Sequence, residues 1–153
     1  MAAVVVGVAG GKDPAFTIKG VGLGTPLTQV RQVLGPPLSQ LDERTEDSMG
    51  MREGKVIKYE GLILKLCKPE GKTSFHVWSI VVTDKRWAVA PGLRVGMERQ
   101  AVIGMLGQPE NSSWEAGSTR ESLSYSFRSF DGYYSVALEK GHVVEISASE
   151  DWS

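Results

Sequence analysis

Cysteine is almost absent from this chain. Cys67 is the single one in 153 residues, which excludes an intrachain disulfide framework and leaves the thiol reading as a small buried filler. Histidine is nearly as scarce. His76 and His142 each precede a strand-like segment with no third ligand or base at a fixed spacing, so no metal site and no acid–base pair is expected. Charge of one sign is not in excess either. With 17 basic and 18 acidic residues, the chain lacks the clustered surplus that grips phosphate backbones, and nucleic acid is not an expected partner. No run of about 18 apolar residues occurs, so no membrane span is expected. No cofactor is expected, because Gly20-Val-Gly-Leu-Gly24 has neither the dinucleotide spacing nor a following Lys-Ser/Thr.

Glycine is plentiful, with 18 residues, and it is patterned. Gly20-Val-Gly-Leu-Gly24-Thr-Pro-Leu-Thr-Gln-Val-Arg-Gln-Val-Leu34-Gly-Pro-Pro37 returns as Gly92-Leu-Arg-Val-Gly96-Met-Glu-Arg-Gln-Ala-Val-Ile-Gly-Met-Leu106-Gly-Gln-Pro109, each match 72 positions on. A period of this size marks one supersecondary unit built twice. In the first copy Thr25 reads as a helix N-cap and Pro26 as the first helical residue. Leu27, Val30, Val33 and Leu34 then share one helical face. Gly35 with Pro36-Pro37 stops the helix. Val102, Met105, Leu106, Gly107 and Pro109 repeat the stripe and the stop, with Gly104 weakening the interior by ~1 kcal/mol.

Each helix leads into a polar stretch expected to be a loop, Gln40–Gly50 and Asn111–Thr119. Strand signals follow at Lys55–Tyr59, Leu62–Leu66 and Val77–Val82, then at Leu123–Arg128, Tyr133–Leu138 and Val143–Ser147. Alternation of apolar and polar residues predicts a sheet with one face on a core. Glu60-Gly61, Asp131-Gly132 and Lys140-Gly141 read as hairpin turns. The expected fold class is therefore α+β, two tandem copies of a helical element packed on an antiparallel meander of about three strands. Residues 15–84 form the first unit, 85–91 a linker and 92–149 the second. Ahead of them, Ala2–Gly10 reads either as the end of an export signal or as an apolar N-terminal strand.

The pattern Gly92-Leu-Arg-Val-Gly96-Met97 through Leu106-Gly107-Gln-Pro109, with its partial match at Leu23, Gly24, Val30, Leu34, Gly35 and Pro37, resembles a known superfamily. It includes the secreted beta-lactamase inhibitory protein and the small lipoprotein subunit of the bacterial outer-membrane barrel-assembly machine. The resemblance spans roughly residues 20–148. It implies two units side by side, a continuous concave sheet face that grips a partner protein, and a periplasmic or secreted location. The chain departs from the inhibitor in having no pair of cysteines and no clear copy of its contact loops.

Two segments stand out as contact candidates. Asp42–Asp47 is acid-rich, with Met49 and Met51 nearby; it reads either as a recognition loop or as a solvated one. Phe130-Asp131-Gly-Tyr133-Tyr134 flanks a tight turn, with Tyr134 on the inward alternation and Tyr133 on the free face. Ile63, Lys65, Val81, Ser135 and Glu145 fall on that same free face. The partner-binding set is thus Glu46, Asp47, Met49, Ile63, Lys65, Phe130, Asp131 and Tyr133, with no catalytic or metal residues. The expected activity is non-enzymatic binding of another protein. The alternative is a small-molecule carrier or enzyme using a groove between the units, marked by His76 or His142 beside carboxylates.

Overall fold

The structure, a computed structural model, describes residues 13–47, 50–69 and 72–151, excluding the side chains of residues 45–47, 50 and 51. The two readings of Ala2–Gly10, and Met49, lie outside the described residues. Among the described residues two helices, α1 (Leu27–Leu34) and α2 (Arg99–Leu106), accompany eight strands. The strands are β1 (Ser39–Asp47), β2 (Gly50–Tyr59), β3 (Leu62–Lys68), β4 (His76–Val82), β5 (Asn111–Trp114), β6 (Arg120–Ser126), β7 (Gly132–Glu139) and β8 (His142–Glu150). They form one antiparallel sheet in the order β1-β2-β3-β4-β8-β7-β6-β5.

This corrects the α+β expectation: the protein is mainly β, one sheet and not two helix-plus-meander units. The two polar stretches expected as loops are the reason. Asp42 faces Lys55 and Arg44 faces Glu53 across the β1–β2 register, and Lys55 Nζ donates to Asp42 Oδ1 at 2.9 Å. Cross-strand pairs of opposite charge hold such a hairpin without any apolar alternation. Asn111–Trp114 likewise pairs with β6. The helices, at eight residues each, are only about two turns long.

Nor does Thr25 cap α1. Pro26 holds the cap position with no side-chain bond, while Thr25 Oγ1 accepts from Gly22 N at 2.9 Å. The sheet satisfies the helix ends instead. Leu27 N donates to Phe75 O, and Gly24 N and Val77 N exchange bonds with Val77 O and Thr25 O. At α2 the same three bonds link Arg99 to Gly141, Gly96 to Val143, and Val143 to Met97. Orphan amides met by the residues just before β4 and β8 dock each short helix where its own length cannot hold it.

The core lies between the helices and one sheet face. Ile57, Leu62, Leu64, Leu66, Ile80, Val82, Leu123, Val136, Leu138 and Ile146 pack there with Val30 and Val102 from the helices. Phe16, Ile18, Val21, Val89 and Leu93, from the segments preceding each helix, complete it.

Asp13 pins the first of those segments. Its carboxylate accepts from Arg128 N at 2.6 Å, Ser129 N at 2.9 Å and Ser129 Oγ at 2.5 Å. Partial burial pushes its pKa up, but these donors outweigh that and hold it below the usual carboxylate range. A depressed pKa contributes stability above the unfolded value, lost as pH falls through the folded one. Asp13→Asn is therefore expected to cost up to ~1 kcal/mol at neutral pH, discounted for exposure. Below about pH 3 its melting temperature should converge on that of the unaltered protein; a gap independent of pH would remove the carboxylate from this role.

Candidate protein-binding face

Because successive strand residues alternate sides, everything between the core positions projects from the face away from the helices. Two rows cross the sheet there. One runs Ser39, Lys58, Ile63, Val81, Ser147, Ser135, Ser124, Asn111 across all eight strands. The next runs Leu41, Val56, Lys65, Ser79, Ser149, Tyr133, Ser126.

The face is zoned. Its β1–β4 half is apolar and basic: Leu41 is 63% exposed, Ile63 and Val81 sit side by side, and Lys65 Nζ lies 6.0 Å from the centre of the Trp78 ring. Its β5–β8 half is paved with serine. Ser135 Oγ and Ser147 Oγ are 2.9 Å apart, and Ser113 faces Ser122. Tyr133 stands 51% exposed among them. Serine hydroxyls accept or donate as a partner requires, and a rigid tyrosine offers contact area at low entropic cost.

Of the residues singled out from sequence, Ile63, Lys65 and Tyr133 occupy these two rows, as do Val81 and Ser135; Glu145 lies opposite Ala137 in the neighbouring row. Phe130 does not join them. It stacks on Phe127 at 4.6 Å, which packs on Tyr134 and Phe16 in the core, so Phe130 belongs to the helix side of the β6–β7 turn. Asp131 is exposed in that turn, its carbonyl accepting from Asp151 N at 2.9 Å. Glu46 and Asp47 pair through their backbones with Met51 and Gly50; their side chains lie outside the description. The serine pavement was missed in sequence, although Ser122, Ser124 and Ser126 at alternate positions carried its signal.

Cys67, His76 and Glu150 form a titratable cluster across β3, β4 and β8. Cys67 Sγ lies 3.8 Å and Glu150 Oε1 3.5 Å from His76 Nε2. Burial, and then the Glu150 charge, push the thiol up to about 11. A thiol held there stays protonated at neutral pH and is a poor nucleophile. His142 approaches the Lys140 carbonyl at 3.3 Å, at the other end of β8 from Glu150.

No protein-family model matches the chain, and no curated protein sequence does. Among solved structures, an extracellular protein containing a SCP domain from Bacillus anthracis is similar over 99% of this chain, at 13% identity and a TM-score of 0.50. That likeness concerns the fold alone, and the chain spans 50% of that protein's length. A Streptococcus mutans protein named as a candidate beta-lactamase inhibitor aligns with 88% of this chain and 90% of its own, at 11% identity and a TM-score of 0.33, too low to establish a shared fold. Among the described residues no helix is long and apolar enough to cross a membrane.

Proposed function

We propose that this chain is a non-enzymatic module, working in the periplasm or outside the cell, that binds a partner protein through the sheet face away from its helices. One observation carries the reading: the rows through Ile63 and Tyr133 put apolar, basic and serine-rich zones on a single surface, with exposed Leu41 at one end of a row and exposed Tyr133 one place from its other end. Such a mixture of aromatic anchor and adaptable polar rim is what protein interfaces use. The similarity to an extracellular protein supports the location. The high pKa of Cys67 favours a binding role over thiol chemistry.

The test is a double substitution, Ile63→Ala with Tyr133→Ala, both on the proposed face and outside the core. A partner retained by the unaltered protein should bind the variant about tenfold or more weakly, a loss of ~1.4 kcal/mol, while circular dichroism stays the same. Gln100→Ala, exposed on α2, should leave affinity untouched. Equal affinities for both variants would move the interface elsewhere.

A further inference from the structure

A cleft of about 670 Å³ opens on the helix side, beyond the C-terminal end of α2. Its walls include Ile103, Gly104, Leu106, Pro91, Tyr125 and Ser126. The other half of the molecule supplies a direct comparison, because the local hydrogen bonds correspond. Tyr125 OH donates to Gly107 O at 2.9 Å, and Tyr59 OH donates to Gly35 O at 2.8 Å. Ser126 follows Tyr125 as Glu60 follows Tyr59.

In that other half the corresponding place is filled by an indole. Trp87 meets the Tyr59 ring edge-on at 6.1 Å and donates its Nε1–H to the Glu60 carbonyl at 2.6 Å. Lys19 covers its outer side, 5.8 Å from the ring centre. The residue standing where Trp87 stands is Phe16. Each lies three positions after an aspartate placed at a strand turn: Asp13 at Arg128–Ser129, and Asp84 against Gly61. Each is also followed by a short bridge, Ile18 with Val21 and Val89 with Leu93. The Phe16 ring turns away from the cleft onto Phe127 and Tyr134, and phenylalanine has no N–H to give.

The consequence is a carbonyl of an exposed residue that no described protein donor meets. Ser126 N is taken by Glu110 Oε2 at 2.5 Å. Phe127 N pairs with Gly132 O, which makes Ser126 and Tyr133 a non-hydrogen-bonded pair and turns the Ser126 carbonyl toward the β5 edge. Among the described residues no donor reaches that carbonyl, and Ser126 lines the cleft. We propose that this cleft binds a planar aromatic molecule of the indole class, set against Tyr125 and donating its ring N–H to the Ser126 carbonyl. The cleft opens on the helix side at the β5 edge; it shares only Ser126 with the proposed protein-binding face, and its argument does not depend on that face.

Indole and 1-methylindole are the probes, titrated into the full chain and followed by amide NMR. Indole should shift the amides of Gly104, Gly107, Ser126 and Arg128 in a saturable way. 1-Methylindole, which keeps the ring and loses the donor, should bind about fivefold more weakly, the factor expected for one hydrogen bond. Gly104→Phe should abolish the shifts without unfolding the protein, since a Cβ at Gly104 meets nothing within 4 Å. No saturable shift up to the solubility limit of indole would overturn the proposal. So would equal binding of the two probes, or retained binding in Gly104→Phe.

Discussion

Arg99→Ala is expected to lower the unfolding free energy by about 3 kcal/mol, the largest loss foreseen for any single side chain outside the apolar core. Glu121 is only 4% exposed, yet it carries a carboxylate. Among the described residues Arg99 is its side-chain partner, with Nε to Oε1 at 3.0 Å and Nη2 to Oε2 at 3.1 Å. That two-pronged contact also ties the first residue of α2 to β6. Removing the guanidinium takes the ion-pair partner from a carboxylate that is otherwise largely buried. The Arg99 side chain is 40% exposed, which sets the expectation at the lower end of the buried-pair range. Urea denaturation measures it, and a paired Arg99→Met, Glu121→Leu variant should recover most of the loss. A cost below about 1 kcal/mol would mean the pair behaves as a solvated surface contact.

Gly61→Ala should be comparably damaging, about 3 kcal/mol, for a different reason. Gly61 ends the β2–β3 hairpin with φ of +73°, a region that costs a side-chain-bearing residue roughly 1 kcal/mol. A methyl there would also overlap Asp84 Cβ and sit 3.1 Å from Asp84 N. Asp84 cannot swing aside cheaply, because Thr83 N donates to Gly61 O at 2.9 Å and fixes that strand end against the turn. Overpacking against backbone adds 1–3 kcal/mol by rough expectation. Gly141, the matching turn residue before β8, has φ of +80° and open space around it. Gly141→Ala isolates the conformational part and should cost only ~1 kcal/mol. Equal losses at the two turns would show that the Asp84 contact relaxes.

What could be read from the sequence follows from where each strand sits. β3 and β7 announce themselves because one side of each meets the core: Leu62, Leu64 and Leu66 alternate with Ile63 and Lys65, as Tyr134 and Val136 do with Tyr133 and Ser135. Alternation thereby also assigned Ile63, Lys65 and Tyr133 to a common face. β1 and β5 are edge strands with little core to meet, so hydropathy carried no trace of them. Treating them as loops shortened the sheet and made two brief helices look like half the architecture. Phe130 escaped for a related reason, since alternation ends where the β6–β7 turn begins and says nothing about which way a turn residue folds. The cleft beside Ser126 was beyond reach, because it depends on Phe16 and Trp87 turning in different directions.

The junction of the sheet's two halves has a consequence for how the chain acquires its structure. Among the described residues the β4–β8 ladder is four pairs long, Ser79–Val82 against Ile146–Ser149, and β8 is the last described strand in sequence although it lies in the interior of the sheet. During synthesis from the N-terminus, β4 therefore waits with an unsatisfied border until residues some sixty-five positions later emerge. Closing so distant a contact is slow, and an apolar strand left bare in the meantime invites the wrong neighbour. A ribosome stalled before β8 would hold a half-built sheet, sticky along the line where its centre belongs.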